Sequence, residues 1–358
     1  MLHAVVLLII GCAVLLWGAD QLVKGSSNIA LRLGLSSLFI GVTIVAFGTS
    51  TPELTVSLIS ISKGTPELAI GNIIGSNIAN ILVIIGICAT IKALVVNKQV
   101  LRFDLPVTIA SALLLWFFSR DGRLNLLEGI ILTLTFLLYI FISYLLAKKS
   151  FEDTHEQPSS KKPVYDIIAI IFGLAGLIGG SKIAVIGAVD IAEAFGVSKL
   201  LIGLTVVAIG TSLPEIAASS VATYKGKSDI AVGNVLGSNI TNTFLILGIC
   251  ALYCDDGFLD IDPTVLVRDL PVMVGATLIC FPIFFTKYAV VRWEGVFLLS
   301  SYILYVANCA MHDTVVHTTS ILNQVTFYFT IFFAIALTIS FCLELVRRYR
   351  RKNCHNKI

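Results

Sequence analysis

The chain has 358 residues, of which 57% are hydrophobic and only 13% charged, and its mean hydropathy is +0.94. A soluble domain carries about a quarter charged residues, so this composition excludes a soluble globular protein and points to a membrane protein. The net charge of +3 says little by itself; no nucleophile–base set, nucleotide loop or basic nucleic-acid surface appears in the sequence.

Apolar stretches long enough to cross hydrocarbon as a helix, about 20 residues, fall near 4–19, 36–61, 67–91, 105–118, 125–147, 164–187, 199–222, 229–252, 266–286, 290–310 and 322–346. The first lacks a basic start and a small-residue cleavage site, so it reads as a retained helix rather than a secretion signal. Asp20 then falls at a helix end. The eight cysteines form no CxxC pair and read as small packing residues. The histidines lie at ends or in loops, which argues against a histidine metal site or proton relay inside the bilayer.

With the N-terminus outside and every span crossing, 19 of the 25 Lys and Arg face the cytoplasm. The positive-inside rule favours that orientation, giving a multi-pass protein of the cell membrane with a cytoplasmic C-terminus. The acidic stretch DDGFLDID at 255–262 is then an external, solvated loop. The basic RRYRRKN near the C-terminus reads as a stop-transfer anchor.

Residues 41–89 and 203–251 align without gaps at an offset of 162, with 25 identities in 49 positions. The same offset pairs Gly11 with Gly173, Gly18 with Gly180 and Gly34 with Gly196; slightly further on, Asp104-Leu105-Pro106 matches Asp269-Leu270-Pro271. The chain is a duplication. Each copy holds five spans, and an odd number forces the second copy to enter from the opposite side, as in many secondary transporters. The expected fold is an all-α polytopic membrane protein. Its organisation is a first five-helix repeat (1–147), a cytoplasmic linker (148–163), an inverted second five-helix repeat (164–310), and an accessory transmembrane helix with a basic tail (311–358).

Both copies place a glutamate in strongly apolar sequence: GVTIVAFGTSTPE ends at Glu53 and GLTVVAIGTSLPE ends at Glu215. As a helix, Ala46, Ser50, Glu53 and Ser57 share one face. Pro52 has no N–H, and its ring crowds the carbonyl four residues back. The helix is therefore expected to break near Ala46–Gly48 and leave carbonyl oxygens free. Irregular backbone at that depth survives only where protein buries it or a cavity meets it. The next span adds a polar stripe, Asn72, Ser76 and Asn80, repeated as Asn234, Ser238 and Asn242. Gly71 with Gly75, and Gly233 with Gly237, allow close helix approach. Every donor is an oxygen, which suits hard cations such as Ca2+ and Na+. No Lys or Arg lies near either glutamate in its helix, so the expected counter-charge is the transported ion. A packing role for one protonated glutamate is the bland alternative; two inverted copies weigh against it.

GTSTPE with GNIIGSNIAN, and GTSLPE with GNVLGSNITN, resemble the two alpha-repeats of the cation/Ca2+ exchanger superfamily, and most closely those of prokaryotic Na+/Ca2+ exchangers. The resemblance covers about residues 4–310. It implies a ten-helix core in which spans 2, 3, 7 and 8 enclose the ions and spans 1 and 6 slide to alternate access. It implies Ca2+ on Glu53 and Glu215, helped by Thr49 and Thr211. It implies Na+ sites drawing on the Ala46 and Ala208 carbonyls, Ser50, Ser212, Ser76 and Ser238, with Asn80 and Asn242 at the remaining central positions. Some relatives carry aspartate at one of those last two, so this chain has one fewer central acid.

The expected function is a secondary antiporter exchanging Na+ for Ca2+ by alternating access, without a cofactor, with the monomer as functional unit. The alternative is H+/Ca2+ or other divalent exchange. An ion channel fits the oxygen lining but not an inverted repeat around a central site.

Overall fold

A computed structural model describes residues 1–149, 162–196, 208–254, 257–286 and 288–312. Most of the expected linker, the start of the 199–222 span, and the 322–346 span with its basic tail lie outside the described residues.

The chain opens with α1 (Leu2–Leu33), then a bent pair, α2 (Ser37–Thr49) and α3 (Thr51–Ser62), then α4 (Pro66–Ile91). The strand β1 (Leu94–Val95), the helix α5 (Val100–Asp121), the strand β2 (Arg123–Asn125) and the helix α6 (Leu126–Lys149) complete the first half. The second half repeats the order: α7 (Pro163–Ala194), α8 (Ala208–Thr211), α9 (Leu213–Tyr224), α10 (Ser228–Tyr253), β3 (Phe258–Asp260), α11 (Val265–Phe285), β4 (Ala289–Val290) and α12 (Arg292–His312). Among the described residues, seven single helices and the bent α2–α3 pair are long and apolar enough to cross a bilayer. The protein is an integral, all-helical membrane protein.

α1 and α7 occupy equivalent places in the two halves, and they pack antiparallel. A Cβ on Gly11 would meet Ala184, one on Gly18 would meet Leu177, and one on Gly25 would meet Asp166, so the numbers fall on one helix as they rise on the other. The second half is therefore inverted relative to the first. The strands agree: β1 pairs antiparallel with β4, and β2 with β3, the same contact made once in each direction. The 255–262 stretch is thus not wholly a solvated loop, because Phe258–Asp260 joins a ladder with Arg123–Asn125 and Asp260 pairs with Arg123 at 3.1 Å.

The α1–α7 contact is a seam of glycines seven residues apart, 11, 18 and 25 on one helix and 173, 180 and 187 on the other. Without hydrophobic drive between helices in lipid, backbone proximity is what holds such a pair. Asp166 fastens one end, accepting from Asn28 Nδ2 at 2.8 Å and Arg32 Nε at 2.7 Å. Asp20 is not at a helix end as expected. α1 runs on to Leu33, and Asp20 sits within it, paired with Lys24 and with Lys225 just beyond α9.

The two halves are not in equivalent surroundings. α1 lies along α9, whereas α7 makes next to no contact with α3. Ala218 on α9 is fully buried, while its counterpart Val56 on α3 is 39% exposed.

A Gly18→Leu exchange would drive a side chain into α7 backbone only 2.7 Å from the new Cβ. We expect a loss of about 1–3 kcal/mol, read as a lower thermal unfolding midpoint in detergent.

Candidate ion-binding site

The bent pair exists because Pro52 cannot donate to the ladder and restarts the helix. The break falls at Ser50, later than the Ala46–Gly48 expected, with φ −82° and ψ 5°. Its copy at Ser212 has φ −87° and ψ 2°. The Ala46 carbonyl is accordingly not free: it accepts from Ser50 N at 3.0 Å and from Thr49 Oγ1 at 3.3 Å. In the second half Ser212 N bonds Ile209 instead, at 3.1 Å, and Ala208 opens the described part of α8. Gly48 and Gly210 admit α7, since a Cβ there would meet Leu174 and Val185.

The later break has a consequence. Glu53 and Glu215 lie in the first turns of α3 and α9, where unsatisfied N–H groups and the helix dipole favour negative charge. Both are 1% exposed.

The inverted halves bring these acids together. Ser50 Oγ donates to Glu215 Oε1 at 3.1 Å. Ser76 Oγ donates to Glu53 Oε1 at 3.3 Å and accepts from Ser212 Oγ at 3.3 Å. Ser76 thus links the Glu53 carboxylate to Ser212, at the break that precedes Glu215. Among the described residues neither carboxylate has a Lys, Arg or His partner. Their second oxygens, Glu53 Oε2 and Glu215 Oε2, are buried with no hydrogen-bond partner, as are Asn80 Oδ1, Asn242 Oδ1 and Ser238 Oγ.

Thr49, in the segment that precedes Glu53, reaches across to the other half. It donates to Asn234 Oδ1 at 3.1 Å and lies beside Glu215. Thr211 is half-buried in the corresponding segment. Asn72 and Asn234 leave the polar stripe to brace the half-helices: Asn72 Nδ2 reaches the Glu53 carbonyl and Ser57 Oγ, and Asn234 Nδ2 reaches the Glu215 carbonyl and Ser219 Oγ. Gly233 and Gly237 do allow the close approach expected, against Leu38, Gly41 and Val42. The segment that matches this contact for Gly71 and Gly75 lies outside the described residues.

Two pairs of residues escaped the sequence reading. Asn77 and Asn239 sit beside the stripe and bond across the repeats; their duplication three residues before Asn80 and Asn242 was the available signal. Asp104 and Asp269, noted only as repeat markers, accept from Tyr139 and Tyr305 at 3.0 Å each, away from the central acids.

No cluster of three His, Cys, Asp or Glu occurs among the described residues. Two carboxylates amid hydroxyl and amide oxygens are donors of the type that hard cations prefer and transition metals do not. The family model described as Sodium/calcium exchanger protein matches residues 3–145 and 165–311, once in each repeat.

The chain belongs to the sodium/calcium exchanger family.

Sodium/calcium exchanger MaX1 of Methanosarcina acetivorans is 31% identical over 351 residues, covering 84% of this chain and 96% of that protein. Inner membrane protein YrbG of Escherichia coli is 34% identical over 288 residues, 78% of this chain and 88% of YrbG. The solved structure of the sodium-calcium exchanger NCX_Mj superposes with a TM-score of 0.75 at 30% identity, covering 86% of this chain and 99% of that one. As a member of the sodium/calcium exchanger family, the protein is a cation/Ca2+ exchanger and not an enzyme.

Asn234 joins three elements by donating to the Glu215 carbonyl and Ser219 and accepting from Thr49. Asn234→Leu removes these three contacts, at about 1–3 kcal/mol. The expected outcome is a thermal midpoint that falls even in ion-free buffer.

Proposed function

We propose that this exchanger exports Ca2+ in exchange for Na+ entering down its gradient, with Glu53 and Glu215 sharing one Ca2+. The observation that carries this reading is the pair of buried carboxylates, each with one oxygen unpartnered and, among the described residues, neither with a cationic side chain. Leaving such charges bare in a low-dielectric interior costs several kcal/mol each. One divalent cation between them removes that cost and neutralises both charges together.

Asn80 Oδ1 and Asn242 Oδ1 add neutral donors. Ser50, Ser212, Ser76 and Ser238, with the Ala208 carbonyl, furnish oxygen sets for Na+, and Thr49 and Thr211 flank the acids; the Ala46 carbonyl, already bonded twice, drops out of the set. Na+ and Ca2+ have similar radii and prefer the same ligands, so they compete for the two carboxylates. That competition couples the fluxes. The relatives support the cargo: MaX1 and NCX_Mj are sodium/calcium exchangers by name. YrbG is an inner membrane protein by name, in keeping with a cell-membrane location, and the Lys/Arg distribution favours an outside N-terminus.

Alternating access follows from the unequal cover of the halves. α1 closes over α9 on one side of the site, while among the described residues no equivalent helix lies along α3 on the other. The closed side is tied by Asp20 to Lys225. The repeat places Lys182 and Lys63 at the mirrored positions, two cations with no attraction, so the reverse closure lacks this tie.

Glu53→Gln and Glu215→Gln are each expected to abolish radiolabelled Ca2+ uptake into Na+-loaded proteoliposomes while the protein still folds. Normal uptake by either variant overturns the site. Uptake driven by a pH gradient in the absence of Na+ would instead establish H+/Ca2+ exchange. Asp20→Asn is expected to shift access by about 0.5–1 kcal/mol. In an Ala218→Cys, Cys12→Ser background this reads as roughly two- to five-fold faster labelling by an impermeant thiol reagent.

A further inference from the structure

An asparagine side chain can present either its oxygen or its amide nitrogen to a site, and only the oxygen serves a cation. Which one points inward is decided by where the NH2 group finds its acceptor. At the crossing of α4 and α10 four asparagines settle this between them. Asn80 Nδ2 donates to Asn239 Oδ1 at 2.9 Å, and Asn242 Nδ2 donates to Asn77 Oδ1 at 3.1 Å. The two bonds are the same contact related by the repeat, since 80 and 77 become 242 and 239.

The accepting asparagines are themselves held. Asn239 Nδ2 donates to the Asn77 backbone carbonyl at 3.3 Å, and Asn77 Nδ2 donates to Thr243 Oγ1 at 2.9 Å. All four residues are 2% exposed or less. Every NH2 group in the lattice has an acceptor, and the oxygens left without a partner are Asn80 Oδ1 and Asn242 Oδ1. A flip of either amide would bury two donors, or two acceptors, against each other.

We propose that Asn77 and Asn239 are positioning residues that lock the Asn80 and Asn242 carbonyl oxygens toward the transported cation and keep an NH2 dipole out of the site. This rests on the Ca2+ reading above. It makes the centre of the site neutral by hydrogen bonding rather than by a shared proton, leaving Glu53 and Glu215 as its acids.

The test compares Asn239→Leu, which removes the acceptor, with Asn239→Asp, which keeps an acceptor oxygen for Asn80. The readout is Ca2+ uptake into Na+-loaded proteoliposomes. The expected result is a KM for Ca2+ raised about tenfold by Leu, the scale of one lost buried hydrogen bond. The Asp variant is expected within about threefold of the parent, and Leu is expected to add nothing in an Asn80→Ala background. Equal KM values for Leu and Asp, or a Leu effect that persists in Asn80→Ala, overturn the proposal. If Asn239→Leu does not accumulate as folded protein, Asn77→Leu read against Asn242→Ala poses the same question from the other half. Failure of the lattice leaves Glu53→Gln inactive and the parent active; a parent that moves no Ca2+ overturns both readings.

Discussion

A carboxylate far from water must find a compensating charge, a proton or a set of strong donors. This protein buries Glu53 and Glu215 in the same place and gives each only part of that compensation. The half-helix N-termini favour the charge, and Ser50 and Ser76 each satisfy one oxygen. The second oxygens have no partner. Much of the remaining architecture bears on that deficit. The proline breaks turn helix ends toward the centre, Asn72 and Asn234 brace the ends, and the glycines at 48 and 210 bring α7 against the breaks.

Duplication with inversion explains how one short motif builds a two-sided site. A single GTS-x-PE segment offers one carboxylate and hydroxyls on one strand of backbone. Its inverted copy meets it head-on, so Ser50 serves the glutamate of the other half and Thr49 bonds Asn234 across the junction. The geometry is reciprocal at the breaks, where Ser50 and Ser212 share nearly the same φ and ψ.

The symmetry fails where the halves have different neighbours. Thr243 takes the Asn77 amide, and its counterpart Ile81 has nothing to accept with. Arg268 pairs with Asp269 at 2.7 Å, whereas Phe103 holds the equivalent place beside Asp104 and stacks on Tyr139. α1 covers α9, and among the described residues α3 has no matching cover. A transporter needs two unequal closures from two similar halves, and the Asp20–Lys225 pair, facing Lys182 and Lys63 in the mirror, is a sequence difference large enough to separate them.

Membrane residence, duplication, inversion and the two acidic motifs were all legible in the residues, because each depends on a local or periodic property: hydropathy over a span, identity at a fixed offset, an odd count of spans. The oxygen-only character of the donors was legible for the same reason. Tertiary structure decided the rest. The proline's effect fell at Ser50 because the chain could keep the Ala46 carbonyl bonded before the helix restarted. Asp20 became an inter-helix pair because α1 is 32 residues long and continues past it. Thr49 bonded Asn234 of the opposite half, and Asn77 and Asn239 entered the centre, because cross-repeat contacts between residues 159 to 185 apart depend on how two inverted halves dock. No spacing within either half records that docking.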